Sequence, residues 1–435
     1  MKIAILGFGL QGRSVYEFYN SPSNQITICD QFTPDDLPVN VELQSGESYL
    51  TRLDRFDLIF RSPVIHPDDI VRANDRKVLE KVTTNTNEFM RLCPSQNTIG
   101  ITGTKGKGTT SFLIARMLEA LGKKVHLGGN IGIPPLDLLK NNIQSKDYVV
   151  LELANFQLID FKYRAHIALC LLIEPEHLDW HSDLDQYYRA KTELFRHQTK
   201  EDIAIYYSKN DNSKRIASTG PAKLIPYFES PGALVAGNHI VIDGIPIIRI
   251  NEIKLLGAHN LQNICAAVTA VWQIENNEII LAQVIRDFEG LPYRLEMRKD
   301  NLGIKYFNDS FASAPTATIA AIDSIRGNKV LIIGGKDRKL DLTKLIEKIK
   351  NNINQIKQLI IIGEASNRIE NELKKINFEN YIVVKSEDMN EIVKLASSYA
   401  SSGDSVILSP GFPSFDMFKN FEDRGNQFNE AVAKL

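Results

Sequence analysis

Two glycine-rich turns and a small set of acids, histidines and lysines carry the chemistry this chain can perform. The stronger signal is Gly103-Thr104-Lys105-Gly106-Lys107-Gly108-Thr109, which follows an apolar strand, Thr98 to Thr102, and opens a helical stretch, Thr110 to Leu121. Glycines there let backbone amides approach phosphate oxygens, the helix N-terminus adds partial positive charge, and Lys107 can reach terminal phosphates. A hydroxyl just beyond the lysine can ligate Mg²⁺. Gly108 directly follows Lys107, so that hydroxyl shifts to Thr109, and Ile101 stands where the usual spacing wants glycine. An ordinary glycine-rich turn is the competing reading; the context and the lysine favour phosphate.

The second turn, Gly7-Phe8-Gly9-Leu10-Gln11-Gly12 with Asp30 downstream, matches a dinucleotide fingerprint. It reads equally as a nucleotide diphosphate or dinucleotide site and as a tight packing turn. Glu152 ends the strand Val149-Val150-Leu151, where a carboxylate could bind Mg²⁺ beside the phosphate loop or simply be solvated. Glu174-Pro175-Glu176-His177-Leu178-Asp179-Trp180-His181 follows another apolar strand and suggests a metal or phosphate site, or a polar loop. Lys191 lies on a helix beginning near Asp183, where a lone lysine is usually a solvated charge. Ser409 to Asp416 leads from a strand into a helix continuing through Gly425, with Ser414 as a natural N-cap whose exposed amides could bind a carboxylate.

The elements that must position these residues alternate strand and helix, which implies α/β units with parallel sheets covered on both faces. Apolar strands at Ile3 to Leu6, Gln25 to Cys29 and Asp57 to Phe60 form one unit; a second opens near Cys93-Pro94, and a third near Pro292-Tyr293-Arg294. The 435 residues suit two to four domains, and 43% hydrophobic with 24% charged residues is an ordinary globular balance. A net charge of -2 argues against a general nucleic-acid partner. Cys29, Cys93, Cys170 and Cys265 have no metal-ligand spacing and suit reduced thiols in the cytoplasm. The start of the chain shows no signal-peptide pattern, and the longest apolar run, Ile167 to Ile173, is too short to insert in a membrane.

Together these segments resemble the Mur ligase family, along nearly the whole chain. The resemblance is carried by Gly103 to Lys107, Gly128-Gly129-Asn130-Ile131-Gly132, Leu151-Glu152-Leu153 with Phe156-Gln157-Leu158, His177-Leu178-Asp179 and Ala190-Lys191. Gly257-Ala258-His259-Asn260 with Asn263, Leu291-Pro292 with Arg294, Asn308-Asp309-Ser310 and the Ser409 to Gly425 segment complete it. The last segment is similar to the family's D-glutamate-adding branch. The resemblance implies three domains: a Rossmann-like UDP-substrate domain (1–92), a central P-loop ATPase-like domain with a mainly parallel sheet (93–292) and a Rossmann-like glutamate domain (293–435).

It also implies roles. ATP would lie on Gly103, Thr104, Lys105, Gly106, Lys107, Gly108, Thr109, Asn260, Asn263, Arg294 and Asp309. Two Mg²⁺ sites would draw on Thr109, Glu152, His177 and a carbamylated Lys191, with Lys107, His177 and Lys191 catalytic. UDP-N-acetylmuramoyl-L-alanine would meet Gly9, Leu10, Gln11, Asp30, Asn130 and Gln157. D-glutamate would meet Ser414 and Phe421, with Arg338 or Lys339 as cationic partner. The implied enzyme is a cytoplasmic ATP-dependent amide-forming ligase of peptidoglycan precursor synthesis, expected to act as a monomer. Departures from the family pattern are Phe311 for lysine, Ser313 for threonine, Ala154-Asn155 for two serines, Gln31 and Phe32 for threonine and arginine, and Gly411-Phe412-Pro413 for a run of small residues. Gly108 is similar to the folylpolyglutamate synthases, so a related ligase using L-glutamate or another acceptor is the alternative. A dehydrogenase leaves Lys107 unexplained, and a non-catalytic nucleotide binder leaves Glu152 and His177 unexplained.

Overall fold

Short runs of β-branched and leucine residues form strands that are buried on both faces, and helices close over them. The computed structural model describes residues 1–435 except 35, 36, 40, 131, 178, 179 and 256. Ile131, Leu178 and Asp179 of the expected motifs therefore lie outside the described residues. The chain forms two compact units, residues 1–253 with 258–287, and 254–257 with 288–435.

The first unit holds two parallel sheets and one small antiparallel one. In the first sheet the order is Glu42–Ser45, Gln25–Asp30, Lys2–Leu6, Leu58–Arg61 and Val82–Thr83, all parallel. The second runs Lys223–Tyr227, Ile203–Tyr207, Ile167–Cys170, Asn97–Thr102, Tyr148–Glu152 and Val125–Gly129, again all parallel. A three-stranded antiparallel sheet, Leu234–Ala236, His239–Ile242 and Ile245–Arg249, was not foreseen from sequence. Asn251 and Glu252 belong to a 3₁₀ turn, Ile250–Glu252, before the helix His259–Trp272.

The second unit has one six-stranded sheet, in the order Glu296–Asn301, Ile304–Asn308, Ser405–Leu408, Lys329–Gly334, Ile356–Ile362 and Tyr381–Val383. Only the first pair is antiparallel. Period-two alternation sorts its core: Leu331, Ile333, Leu359, Ile361 and Ile407 pack on one face, and Val330, Ile332, Ile360, Ile362, Val406 and Leu408 on the other. Each such fully buried side chain contributes roughly 1.5–3 kcal/mol.

The segment after Ser409 differs from expectation. Ser414 starts only a turn, its carbonyl accepting the amides of Met417 and Phe418. The helix is Phe421–Ala433, and its N-cap is Asn420, whose side chain accepts the Asp423 amide. Among the described residues no helix is long and apolar enough to cross a membrane.

Candidate active site

The strand Asn97–Thr102 lies between Ile167–Cys170 and Tyr148–Glu152, so three adjacent carboxyl ends bring Gly103, Leu171 and Glu152 together. The turn that follows is built for glycine. Gly106 has φ +87°, and a Cβ there would stand 2.2 Å from Asn263 Oδ1; one on Gly103 would stand 2.8 Å from Leu171 Cβ. The Thr104 amide donates to the Leu172 carbonyl at 2.8 Å. Its hydroxyl meets the Glu174 main chain at 2.9 and 3.0 Å and the Tyr187 hydroxyl at 2.7 Å. Lys105 pairs with Glu174 at the surface, at 2.9 Å. Gly106 is the N-cap of the helix Lys107–Ala120, and no side chain caps that end. An uncapped helix N-terminus can take an anion as its cap.

Lys107 curls onto the loop, its ammonium donating to the carbonyls of Gly103 (3.0 Å) and Thr104 (3.2 Å). Lys191, 1% exposed, donates to the same Gly103 carbonyl at 3.2 Å and lies 4.7 Å from the centre of the Tyr187 ring. Burial, and then the neighbouring Lys107 charge, pull its amine down to about 7. Far from being a solvated charge on a helix face, it is a buried amine that loses its proton near neutrality. Glu152 is 2% exposed, so it is not a solvated strand-end acid either. Its Oε1 accepts from Asn130 Nδ2 at 3.2 Å, and the Asn130 amide donates to the Glu152 carbonyl at 2.8 Å. Gly108 and Thr109 form the first turn of the Lys107–Ala120 helix. Asn260 and Asn263 sit on one helix face, joined by a 2.9 Å bond, with Asn263 against Gly106. Phosphate-loop, Glu152 and Lys191 chemistry is therefore gathered in one place within the first unit.

His177, at φ +58°, sits 3.4 Å from Glu176 Oε2, with its ring 4.7 Å from that of Phe156. Its carbonyl accepts the amides of Trp180 and His181. Among the described residues no three histidine, cysteine or acidic side chains converge as a metal cluster. The oxygen donors Glu152 and Thr109 suit Mg²⁺, which commonly keeps water and phosphate oxygens in its shell.

His66 was missed as a site neighbour, and His181, read with the segment after the strand, is tied to it through Gln186. His181 is buried, and burial drives its imidazole down to about 4. It accepts from Asn155 Nδ2 at 2.7 Å and donates from Nδ1 to Gln186 Oε1 at 3.2 Å; His66 Nε2 meets the same oxygen at 3.2 Å. Asn155, one of the departures noted above, thus shares with Gln186 the orientation of His181.

In the first sheet, Gly9 caps the helix Leu10–Tyr19, which carries Leu10 and Gln11 on its opening turn. The Gln11 carbonyl accepts from Asn85 Nδ2. Asp30 Oδ2 accepts the Phe8 amide at 2.7 Å and Oδ1 the Phe32 amide at 3.1 Å, so Asp30 fixes the glycine turn. Gln157 is wholly buried, accepting from the Ala154 amide and donating to Thr86 Oγ1.

The second unit gathers another group. The Arg294 guanidinium lies 4.2 Å over the Phe311 ring, and Phe311 meets Phe421 edge-on at 5.0 Å. Asp309 accepts the Leu295 amide at 3.1 Å and the Ser409 hydroxyl at 2.7 Å; burial raises its carboxyl to about 7. Ser414 is buried, whereas Arg338 and Lys339 are exposed on the turn after Gly335. Sequence reasoning missed Arg424, which is fully buried and donates to Ser310 Oγ, the Ser310 carbonyl and the Phe412 carbonyl at 2.8–3.1 Å.

The family model of the Mur ligase middle domain matches residues 101–271, and that of the Mur ligase glutamate ligase domain matches residues 293–412. The UDP-N-acetylmuramoylalanine–D-glutamate ligase of Clostridium tetani is 33% identical over 449 residues, covering 100% of this chain and 97% of the relative. The enzyme of that name from Acetivibrio thermocellus is 34% identical over 458 residues, covering 100% and 96%. Among solved structures, UDP-N-acetylmuramate-alanine ligase MurC from Thermotoga maritima matches with a TM-score of 0.62 at 15% identity, over 100% of this chain and 99% of that one. The MurF ligase from Thermotoga maritima, solved in complex with ADP, matches at 0.60 and 16% identity, over 99% and 94%. The two structures speak to the fold, and the full-length relatives and both domain models speak to descent: the chain belongs to the Mur ligase family.

Proposed function

We propose that this chain is an ATP- and Mg²⁺-dependent ligase that joins D-glutamate to UDP-N-acetylmuramoyl-L-alanine, acting as a monomer in cytoplasmic peptidoglycan precursor synthesis. The observation that carries the proposal is full-length similarity to enzymes of that name, together with a buried Lys191 and Glu152 beside a glycine-built phosphate loop. Three functional domains, 1–92, 93–292 and 293–435, would divide the work.

On this reading the substrate carboxylate oxygen attacks the γ-phosphorus of ATP, the bond to the bridging oxygen breaks, and ADP leaves. The glutamate amine then attacks the acyl phosphate carbonyl, phosphate departs with the former carboxylate oxygen, and the amine loses a proton. Lys107 would exchange the Gly103 and Thr104 carbonyls for phosphate oxygens, and the uncapped amides of its helix would bind the same group. Glu152, Thr109 and His177 would hold Mg²⁺, which supplies positive charge against the phosphates. Lys191, with its amine neutral in part near pH 7, is suited to become a carbamate, an anion directed at a second Mg²⁺. Asn260 and Asn263 would face adenine, while Arg294 and Asp309 would serve phosphate and ribose. Gly9, Leu10, Gln11, Asp30, Asn130 and Gln157 would serve the UDP-sugar, and Ser414, Phe421 and Arg338 or Lys339 the amino acid.

Phosphate release from ATP with UDP-N-acetylmuramoyl-L-alanine and a panel of D- and L-amino acids tests this. Turnover with D-glutamate supports it, and turnover only with another acceptor refutes it. The second reading, a related ligase using L-glutamate, is favoured by Phe311 and Gly108 and is decided in the same assay.

A further inference from the structure

The first sheet reverses its strand order at Lys2–Leu6. The chain runs outward through Gln25–Asp30 to Glu42–Ser45, then returns to the other side as Leu58–Arg61. In open parallel sheets, ligands lie in the crevice outside the carboxyl ends at such a reversal. Gly7 and Ser62 follow those two ends and touch: a Cβ on Gly7 would stand 2.8 Å from that of Ser62, and the Ser62 amide donates to the Leu6 carbonyl at 2.9 Å.

The side chain of Arg61, fully buried, joins this crevice to the second sheet. Its Nε and Nη2 each meet a carboxylate oxygen of Asp160 at 2.8 Å. Nη1 donates to the carbonyls of Ile65 (2.8 Å), Ser62 (3.2 Å) and Pro63 (3.5 Å), and Nη2 also donates to that of Phe156 at 3.0 Å. The Phe156 ring faces His177, and Trp180 Nε1 donates to the Val64 carbonyl at 3.0 Å. One guanidinium therefore holds both the turn that walls the crevice and the backbone of Phe156, whose ring meets that of His177. A planar fork of donors can span these acceptors together, whereas an ammonium cannot.

We propose that Arg61 is a positioning residue for the UDP-sugar substrate. It fixes the 62–65 turn at the nucleotide crevice and registers that turn against Phe156 and His177, so that the two ends of an extended substrate find their walls at a set spacing. The proposal rests on the functional reading above, in which the first sheet takes the UDP end.

The test uses Arg61→Lys and the paired Arg61→Met/Asp160→Asn, the latter leaving no carboxylate unpaired should the former fail to fold. The KM for UDP-N-acetylmuramoyl-L-alanine is expected to rise at least tenfold, with the KM for ATP within twofold of wild type. Trp180 and Trp272 are the two tryptophans. In a Trp272→Phe background, acrylamide quenching of Trp180 is therefore expected to rise about twofold as the Val64 turn loosens. A folded variant with an unchanged KM for the UDP-sugar, parallel increases for ATP, or unchanged Trp180 quenching would each overturn the proposal. A wild type that turns over only a different acid would sink the functional reading instead, while quenching in the variants would still rise.

Discussion

Replacing Gly106 by alanine should damage the phosphate loop by an amount that can be built up from its surroundings. The position has φ +87°, where a Cβ costs about 1–2 kcal/mol. The new methyl would sit 2.2 Å from Asn263 Oδ1 and 3.2 Å from its Cγ, so the Asn263 side chain must move. That movement breaks the 2.9 Å bond from Asn263 to Asn260, worth about 1 kcal/mol, and crowds a packed site at a further cost of about 1 kcal/mol. The total is about 3–4 kcal/mol. Urea unfolding followed by tryptophan emission is the assay, because Trp180 and Trp272 both lie in the first unit. Asn263→Ala alone should cost about 1 kcal/mol, and the double variant about 2–3 kcal/mol because the crowding is gone, giving a coupling of about 2 kcal/mol. A Gly106→Ala loss below about 0.5 kcal/mol, or strict additivity of the two changes, would refute the reasoning.

Lys191→Met should be more stable than wild type at pH 6, by a few kcal/mol, in CO₂-free buffer. The buried ammonium is charged in both states there, and its cost is relieved as pH climbs from about 7 towards the ordinary lysine value; calorimetry that finds no narrowing of the gap by pH 10 contradicts this. The Gly103 carbonyl keeps its bond from Lys107, so the variant leaves no orphaned acceptor. Asp309→Asn has the opposite dependence. It should raise the melting temperature at pH 8, where the buried carboxylate is charged in both states, and lose that advantage as pH falls from about 7 to 4. Phe311→Leu removes the ring under Arg294 and should cost about 1 kcal/mol, and Phe311→Lys should cost more by setting a second cation beside the guanidinium; equal melting temperatures would refute this.

The phosphate loop was legible because its glycines answer to local geometry: φ, close backbone approach and a helix start are all encoded within a few residues. Glu152 was legible as a strand-end acid, since a parallel strand ends where ligands gather. Lys191 was legible only through family resemblance. Its helix is strongly amphipathic, yet nothing local says that this lysine faces inward beneath Gly103. Arg61, His66 and Arg424 were not legible at all. Their partners lie 99, 120 and 114 residues away in the chain, and short-range patterns carry no such pairings. The start of the last helix failed for a different reason. Ser414 has the right chemistry for a cap, but the chain makes one turn and extends again at Asn420, at φ -163°, which takes the capping role instead. The small antiparallel sheet was missed because its strands are three to five residues long and partly exposed.

All four cysteines are free and buried, with burial pushing the thiols of Cys29, Cys170 and Cys265 up to about 12. Each lies in the first unit: Cys29 on the strand Gln25–Asp30 of the first sheet, Cys93 beyond the helix Asn85–Leu92, Cys170 on the strand beside the Gly103 to Thr109 loop, and Cys265 on the helix of Asn260 and Asn263. A thiol that is both protonated and enclosed reacts with an alkylating reagent only while its element is open. The chain thus carries four built-in clocks for local opening. Bound ATP should slow modification of Cys170 and Cys265 more than that of Cys29, and the second unit, which has no cysteine, stays silent in the same experiment.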